Sequence, residues 1–367
     1  MQKVGIIAEY NPFHNGHLYQ IEEVKKLYPN SLITIILNGY FLERGELSIL
    51  PKEDKVRLCL EYGVDLVVEL PCLFGTQAAD IFAEKALLLL KELKIEKLVF
   101  GSESNNINKL TEIAKKQLEE NLDDKIKTYL KKGYNYPTAL KKALNIDFDY
   151  NNPNDLLGIS YIKAILKNNL DIEPISIQRT NNYHDVISND NIVSASNIRN
   201  RLYNNEDITK FIPYKDINFH LNDYFNYLKY AILNNDLTNI LSVDEGLDNL
   251  LKKYILEVSS VKELISKLKS KRYTYNRLQR MLVHILLNIL KEDRNLSLEY
   301  IKILGFNKKG RSYLNKVKKN FSIPLYNNKL VSKVKDYELK ASLIYDLINH
   351  TNTYNFELKN NPLKKDY

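Results

Sequence analysis

Residues 4–21 read VGIIAEYNPFHNGHLYQI. Residues 4–8 form an unbroken apolar run of strand length, and Pro12 stiffens the loop that follows. From His17 onward Leu18, Ile21, Val24, Lys25 and Tyr28 fall on one face of a helix. The stretch therefore predicts a strand, a tight loop, and a helix beginning near Gly16 with Asn15 as its cap. A helix start carries free N–H groups and the positive end of the helix dipole, so it favours anions. Gly16 lets a ligand approach the backbone. His14 and His17 add ring N–H donors on the same side. Such an array suits a triphosphate whose α–β bond is to be broken. The imidazoles then stabilise charge growing on phosphoryl oxygens rather than acting as general acid or base. The bland alternative is a helix start with two exposed histidines.

Further apolar runs lie at 32–37, 66–70, 97–100 and 172–177, separated by helical patterns at 52–62 and 77–93. This alternation predicts an α/β fold: a Rossmann-like parallel sheet with helices on both faces. Ligands bind such sheets beyond the strand C-termini. HNGH leaves strand one at that edge, and FLERGE, PCLFG and GSESNN leave the next three. After about Asn205 strand patterns give way to helical ones at 219–233, 247–258, 275–290 and 310–319. We therefore expect an α/β domain over 1–205, a mostly α-helical domain over 206–367, and a frayed tail over 356–367.

The chain has 367 residues and a formal charge of +8. Residues 262–320 hold 16 Lys and Arg against 4 Asp and Glu, so the remainder is mildly acidic. A basic block on an acidic body fits a polyanionic partner, though a solvated Lys-rich helix surface looks the same. Tyr273 and Tyr275 interleave with Arg277 and Arg280 in this block, and Lys308, Lys309 and Arg311 follow. The cations would grip phosphates and the tyrosines could stack on a base; alternatively the tyrosines are half-buried helix residues. No apolar stretch reaches membrane-spanning length. Cys59 and Cys72 are far apart and form no CxxC, so the cytoplasm is the default compartment. No Asp, Glu or His set has metal-ligand spacing, so no protein metal site is expected. Any Mg2+ would be held through the triphosphate.

Other positions carry two readings each. Gly101 either offers bare backbone to adenine or ribose or is an ordinary strand-end turn. Asn154 either bonds ribose or base or caps a helix. Arg179 either meets the α-phosphate or a carboxylate or forms a rim salt bridge. Arg44 could hold a carboxylate or an RNA phosphate. His184 and Asp185 share a loop and suit positioning more than chemistry. His284 sits in an apolar helix as a core residue.

HNGH resembles the HxGH signature of the nucleotidyltransferase superfamily. VSASNIRNRL (residues 193–202) resembles that superfamily's second phosphate motif, with Ser194 or Ser196 capping a helix and Arg199 reaching a phosphate one turn in. No synthetase-type lysine motif is present. Eight segments stand in one order: VGIIAEYNPFHNGHLYQI, FLERGE, GVDLVVELP, FGSE, NPNDLLGISYIKAI, QRTNNYHD, YNRLQRMLVHILL and LGFNKKGRSYL. Together they resemble the tRNA(Met) cytidine acetate ligase family. The chain departs from the family pattern at Glu43 and Asp155 and in having no Trp.

The resemblance implies an ATP-dependent ligase. ATP and acetate would give acetyl-adenylate, and the wobble cytidine of elongator tRNA(Met) would take the acetyl group. It implies His14 and His17 as catalytic residues. ATP would lie along Ile7, Ala8, Glu9, Tyr10, Asn11, Pro12, Phe13, His14, Asn15, Gly16, His17, Leu18 and Gln20. Gly101, Asn154, Arg179, Ser194, Ser196 and Arg199 would complete that site, with Arg44, Arg277, Arg280, Lys308, Lys309 and Arg311 serving RNA or acetate. A small-metabolite adenylyl- or cytidylyltransferase shares the phosphate motifs, but the basic block argues against it. An RNA-binding protein with a residual nucleotide site is the third reading, and the intact His14, Gly16, His17 and Arg199 argue against decay.

Overall fold

The computed structural model describes residues 1–146, 148–149, 152–179, 191–359 and 361–365. The strands are β1 (Lys3–Ala8), β2 (Leu32–Asn38), β3 (Leu66–Leu70), β4 (Lys97–Ser102), β5 (Glu173–Gln178), β6 (Ile303–Asn307) and β7 (Leu363–Lys365). The helices of the first half are α1 (Asn15–Leu27), α2 (Lys52–Glu61), α3 (Cys72–Gly75), α4 (Ala79–Glu92), α5 (Ile107–Lys116), α6 (Leu122–Lys131), α7 (Tyr136–Leu144), α8 (Pro153–Lys167) and α9 (Ala195–Tyr203). Those of the second half are α10 (Phe225–Asn234), α11 (Leu247–Tyr254), α12 (Val261–Leu268), α13 (Tyr275–Leu287), α14 (Lys308–Val317), α15 (Lys333–Asn349) and α16 (Tyr354–Lys359).

The sheet order is β5-β4-β1-β2-β3-β6-β7, and β1 to β5 are parallel as expected. β2 and β3 are buried at every residue, because helices cover both faces of a central parallel strand. Their side chains alternate between the two cores. Ile33, Ile35 and Leu37 join Ile21 and Val24 of α1 and Val56 and Leu60 of α2 on one face. Leu32 and Ile36 face the other core, built from α4, α8 and the C-terminal helices.

The mostly helical second half also contributes strands: β6 adds antiparallel to β3, and β7 adds parallel to β6. One expectation is corrected: the described residues of the tail are not frayed, for α16 carries the fully buried Glu357 and β7 lies in the sheet. The cause is a buried ionic cluster that pattern reading of short segments does not see. Lys52 Nζ donates to Glu69 Oε2 at 2.7 Å, Glu338 Oε1 at 2.6 Å and Glu357 Oε1 at 2.5 Å. Lys302 also donates to Glu357, and Tyr300 and Tyr40 donate hydroxyl protons to Glu69 and Glu357. Glu338 Oε2 accepts the main-chain N–H of Cys72 at 2.6 Å. The three carboxylates are close enough to ligate a cation, and the Lys52 ammonium sits among them. The cluster fastens α15 and α16 to β3 and α2.

Candidate active site

Strand order reverses between β1 and β4, which opens a crevice beyond their C-terminal ends. A cavity of ≈ 410 Å³ lies there. Ile7, Ala8, Glu9, Tyr10, Asn11, His14, Gly16, His17 and Gln20 line it from β1 and α1. Gly101, Asn154, Arg179, Ser194, Ser196, Arg199 and Arg44 line it from the later elements. Of the residues named along the first motif, Pro12, Phe13, Asn15 and Leu18 stand outside its wall. Phe13 is fully buried and stacks on Tyr62 with ring centroids 5.3 Å apart, so its role is packing. His184 and Asp185 lie outside the described residues.

The cap of α1 is His14, not Asn15. His14 Nδ1 accepts the Gly16 N–H at 3.0 Å, and His17 Nδ1 accepts the His14 N–H at 3.2 Å. This is a capping box built from two imidazoles. Asn15 instead donates its side-chain amide to the carbonyls of Asn191 and Lys210. A Cβ on Gly16 would stand 2.8 Å from the His14 ring, so the glycine makes room for the cap. With both Nδ1 atoms accepting, a neutral ring carries its proton on Nε2 and is a donor there. Burial, reinforced by Arg179 and Arg199, pushes His14 down to about 3. Burial, His14 and Arg179 hold His17 well below the usual histidine range. Tyr10, just ahead of this cap, takes a left-handed φ of 50°.

Cationic charge comes from arginines. Ser194 caps α9 by accepting the Asn197 N–H at 3.2 Å; Ser196 is not the cap, and its Oγ accepts from Arg199 at 3.4 Å. Arg199 also donates to the Asn11 carbonyl at 2.7 Å and pairs with Glu46 at 2.9 Å. Arg179 has a buried Nε with no partner among the described residues, and Arg44 is near enough for its charge to lower the Arg179 pKa, after burial and against the opposing pull of Glu103. Asn154 does not cap α8, whose N-cap is Asn152; its amide donates to Glu103 at 2.5 Å. Asp155 is fully buried and accepts from the Ser102 hydroxyl and from the N–H groups of Glu103 and Ser104. It holds the FGSE turn against α8. The nearest atoms that a Cβ at Gly101 would meet belong to the Arg179 side chain, from 3.4 Å.

The FLERGE loop is the cavity's third wall. Glu43 donates its N–H to Glu9 Oε1 at 2.7 Å and pairs with Arg280 at 2.9 Å. Asn38 donates to the same Glu9 oxygen at 2.8 Å. Burial raises the Glu9 carboxyl to about 7. Glu46 and Tyr161, which no sequence argument singled out, also line the cavity. Glu46 was findable from the FLERGE motif; Tyr161 lies in a helix whose pattern reads as plain core.

The residues proposed for RNA divide. Asn276 lines the cavity, so the start of α13, with Arg277 and the half-exposed Tyr275, borders the mouth. Arg280 reaches the cavity wall through Glu43. Tyr273 is buried and donates its hydroxyl to Glu245, which removes it as a stacking platform. Lys308, Lys309 and Arg311 stand elsewhere. β6 runs antiparallel to β3, with Phe306 opposite Leu66, so α14 starts at the strand N-termini, the edge opposite the cavity. Lys309 there pairs with Asp65 at 3.2 Å and donates to the Ser31 carbonyl. His284 is a core residue bonded to the Thr76 carbonyl at 2.9 Å.

The HIGH Nucleotidyl Transferase family model matches residues 1–361. The chain is 38% identical over 358 residues to tRNA(Met) cytidine acetate ligase of Anoxybacillus flavithermus, covering 89% of each chain. The chain belongs to the tRNA(Met) cytidine acetate ligase family. Crystal structures of Thermotoga maritima TmcAL agree with that membership. The apo form matches with a TM-score of 0.90 and the form bound with alpha-thio ATP with 0.87, both at 26% identity over 100% of both chains. Among the described residues no helix is long and apolar enough to cross a membrane.

Proposed function

We propose that the chain is an ATP-dependent acetate ligase. It joins acetate to AMP with release of pyrophosphate, then passes the acetyl group to the exocyclic amine of the wobble cytidine of elongator tRNA(Met). The products are N4-acetylcytidine and AMP. The observation that carries this reading is the placement of the His14–His17 cap, with its two Nε2 donors, at the strand-reversal crevice of a chain matched along its length by ligases of that name. Neutral Nε2–H donors, the positive dipole end of α1 and the Arg199 guanidinium suit charge building on a leaving pyrophosphate. Arg179 and Arg44 suit an incoming carboxylate.

Residues 1–205 supply the adenylating site in this reading, and 206–367 present the RNA, with the α13 start nearest the cavity. Glu43 and Glu46 are already matched by Arg280 and Arg199, which supports Mg2+ entering on the triphosphate, held by phosphate oxygens. A tRNA substrate supports a cytoplasmic location.

The test is acetate-dependent exchange of pyrophosphate into ATP without tRNA, followed by transfer of labelled acetate into tRNA. The label is expected to survive mild alkali, because an amide on cytidine outlasts an ester at the tRNA end. Replacing the wobble cytidine by uridine should abolish transfer. Alkali-labile label, or label found only in small molecules, would reject the reading.

A further inference from the structure

The transfer half-reaction has a proton to remove. The lone pair of the cytidine N4 attacks the acyl carbon of acetyl-adenylate and a C–N bond forms. The bond from the acyl carbon to the phosphate oxygen breaks, and AMP leaves with its electron pair. N4 must then shed one proton to become an amide nitrogen, and some group must receive it.

Most polar groups of the cavity cannot. His14 and His17 have their Nδ1 atoms occupied by main-chain N–H groups, so each presents a protonated Nε2. Arg44, Arg179 and Arg199 have no acceptor atom. Lys55, behind the wall, spends its ammonium on the carbonyls of Glu9 at 3.0 Å, Asn38 at 2.8 Å and Gly39 at 2.6 Å. Burial pushes the Tyr10 and Tyr161 hydroxyls upward, so they keep their protons. Among the lining carboxylates, Glu43 is paired with Arg280 and Glu46 with Arg199.

Glu9 is left. It directly follows β1 beside the cap, lines the cavity, and among the described residues forms no ion pair. Its Oε1 is fixed by Asn38 and by the Glu43 N–H, and among the described residues nothing donates to Oε2. We propose that Glu9 is the general base of the acetyl transfer step, its Oε2 accepting the N4 proton as the amide forms and passing it afterwards to water. This assignment rests on the ligase reading above. Burial supplies the matching basicity: it raises Glu9 to about 7, helped by the Glu43 and Glu46 charges and opposed by the hydrogen bonds from Glu43 and Asn38. The other ionisable groups facing it are Lys55, which burial brings down to about 7, and Tyr161.

The experiment measures two rates on the full-length chain. One is acetate-dependent pyrophosphate exchange; the other is single-turnover acetyl transfer to tRNA from preformed acetyl-adenylate. In Glu9→Gln, transfer should fall further than exchange by roughly 10²–10⁴-fold, the usual worth of a positioned base. Glu9→Asp should recover part of it. Wild-type transfer should rise with pH through about 7 and level off, and the Gln variant should lack that rise. Transfer that falls no further than exchange would make Glu9 a nucleotide-binding residue and overturn the proposal. If Glu9→Gln does not fold, the wild-type profile decides: a flat transfer rate between about pH 6 and 8 overturns it. A wild-type chain that exchanges pyrophosphate but never acetylates cytidine removes the ligase reading, and this assignment with it.

Discussion

The main-chain N–H of His14 fixes the tautomer of His17 by bonding its Nδ1 at 3.2 Å, the Gly16 N–H does the same for His14, and the two rings lie 3.8 Å apart. Each Nε2–H is thereby committed as a donor. His17→Ala should slow pyrophosphate exchange by about 10²–10³-fold, the cost of one lost donor at developing charge, while the fold survives. His14 stays neutral down to about 3, so exchange by the wild type should show no acid limb near the ordinary histidine value. A limb near 6.5 that disappears in His17→Ala would contradict the donor assignment.

Gly45 sits where no side chain fits. Its φ is +76°, and a Cβ would stand 2.5 Å from the main-chain N of Arg280. That contact seats the FLERGE loop on α13, next to the Glu43–Arg280 pair. Gly45→Ala should lower stability by about 1–3 kcal/mol through overpacking and positive φ together. Urea unfolding reads this directly, and a shift under about 0.5 kcal/mol would mean that the loop does not bear on α13.

Lys52 neutralises carboxylates that have no access to water. Lys52→Met should cost about 3–5 kcal/mol, because Glu69, Glu338 and Glu357 would remain buried with only Lys302. The pH sign follows from Glu357, which Lys302 and Lys52 hold down at about 2 against its burial. A depressed carboxyl stabilises the fold above its unfolded value near 4.5 and loses that contribution as pH falls toward 2. Acid titration of Glu357→Gln should lack this component of the loss.

Local patterns carried most of the scaffold. The apolar runs at 4–8, 32–37, 66–70, 97–100 and 172–177 all became strands of the sheet. HNGH and SASNIR pointed to the cavity because helix starts after strands are local features. What escaped is long-range. β6 and β7 are short segments that become strands only because the edge of β3 is there to pair with. The tail is ordered by Glu357, whose partners Lys52 and Lys302 are hundreds or tens of residues away. Asn15 looked like the better cap, since ordinary preferences do not anticipate an imidazole filling that place.

His284 reports on acid stability separately from the site. Burial lowers it to about 4, although the Thr76 and Leu241 carbonyls favour its proton. The unfolded chain binds a proton near 6.5 that the folded chain refuses until about 4, so this residue makes stability fall as pH drops across that window. Relative to wild type, His284→Gln should therefore gain stability between pH 6.5 and 4. Parallel pH curves for the two proteins in urea would show that the imidazole opens to solvent before it titrates.

The two basic groups should separate in their effect on RNA. Arg277 and Tyr275 stand at the α13 start beside Asn276, which lines the cavity, and Arg277 is only loosely tied to Asp244 at 3.6 Å. Lys308 and Arg311 stand at the opposite edge of the sheet, and Lys309 is engaged by Asp65. If the anticodon must bring its wobble base into the cavity, nearby phosphates meet the α13 start. Arg277→Glu should raise the KM for tRNA and reduce the slope of log affinity against log salt by about one unit. Tyr275→Ala should weaken binding by roughly 1–3 kcal/mol if its ring stacks on a base. Lys308→Glu with Arg311→Glu should act less, and only where a more distant part of the tRNA reaches that edge. Pyrophosphate exchange without tRNA should stay near wild type in the Lys308, Arg311 pair. A tRNA KM that responds to that pair and ignores Arg277 would place the RNA on the strand N-terminal edge and reverse this assignment.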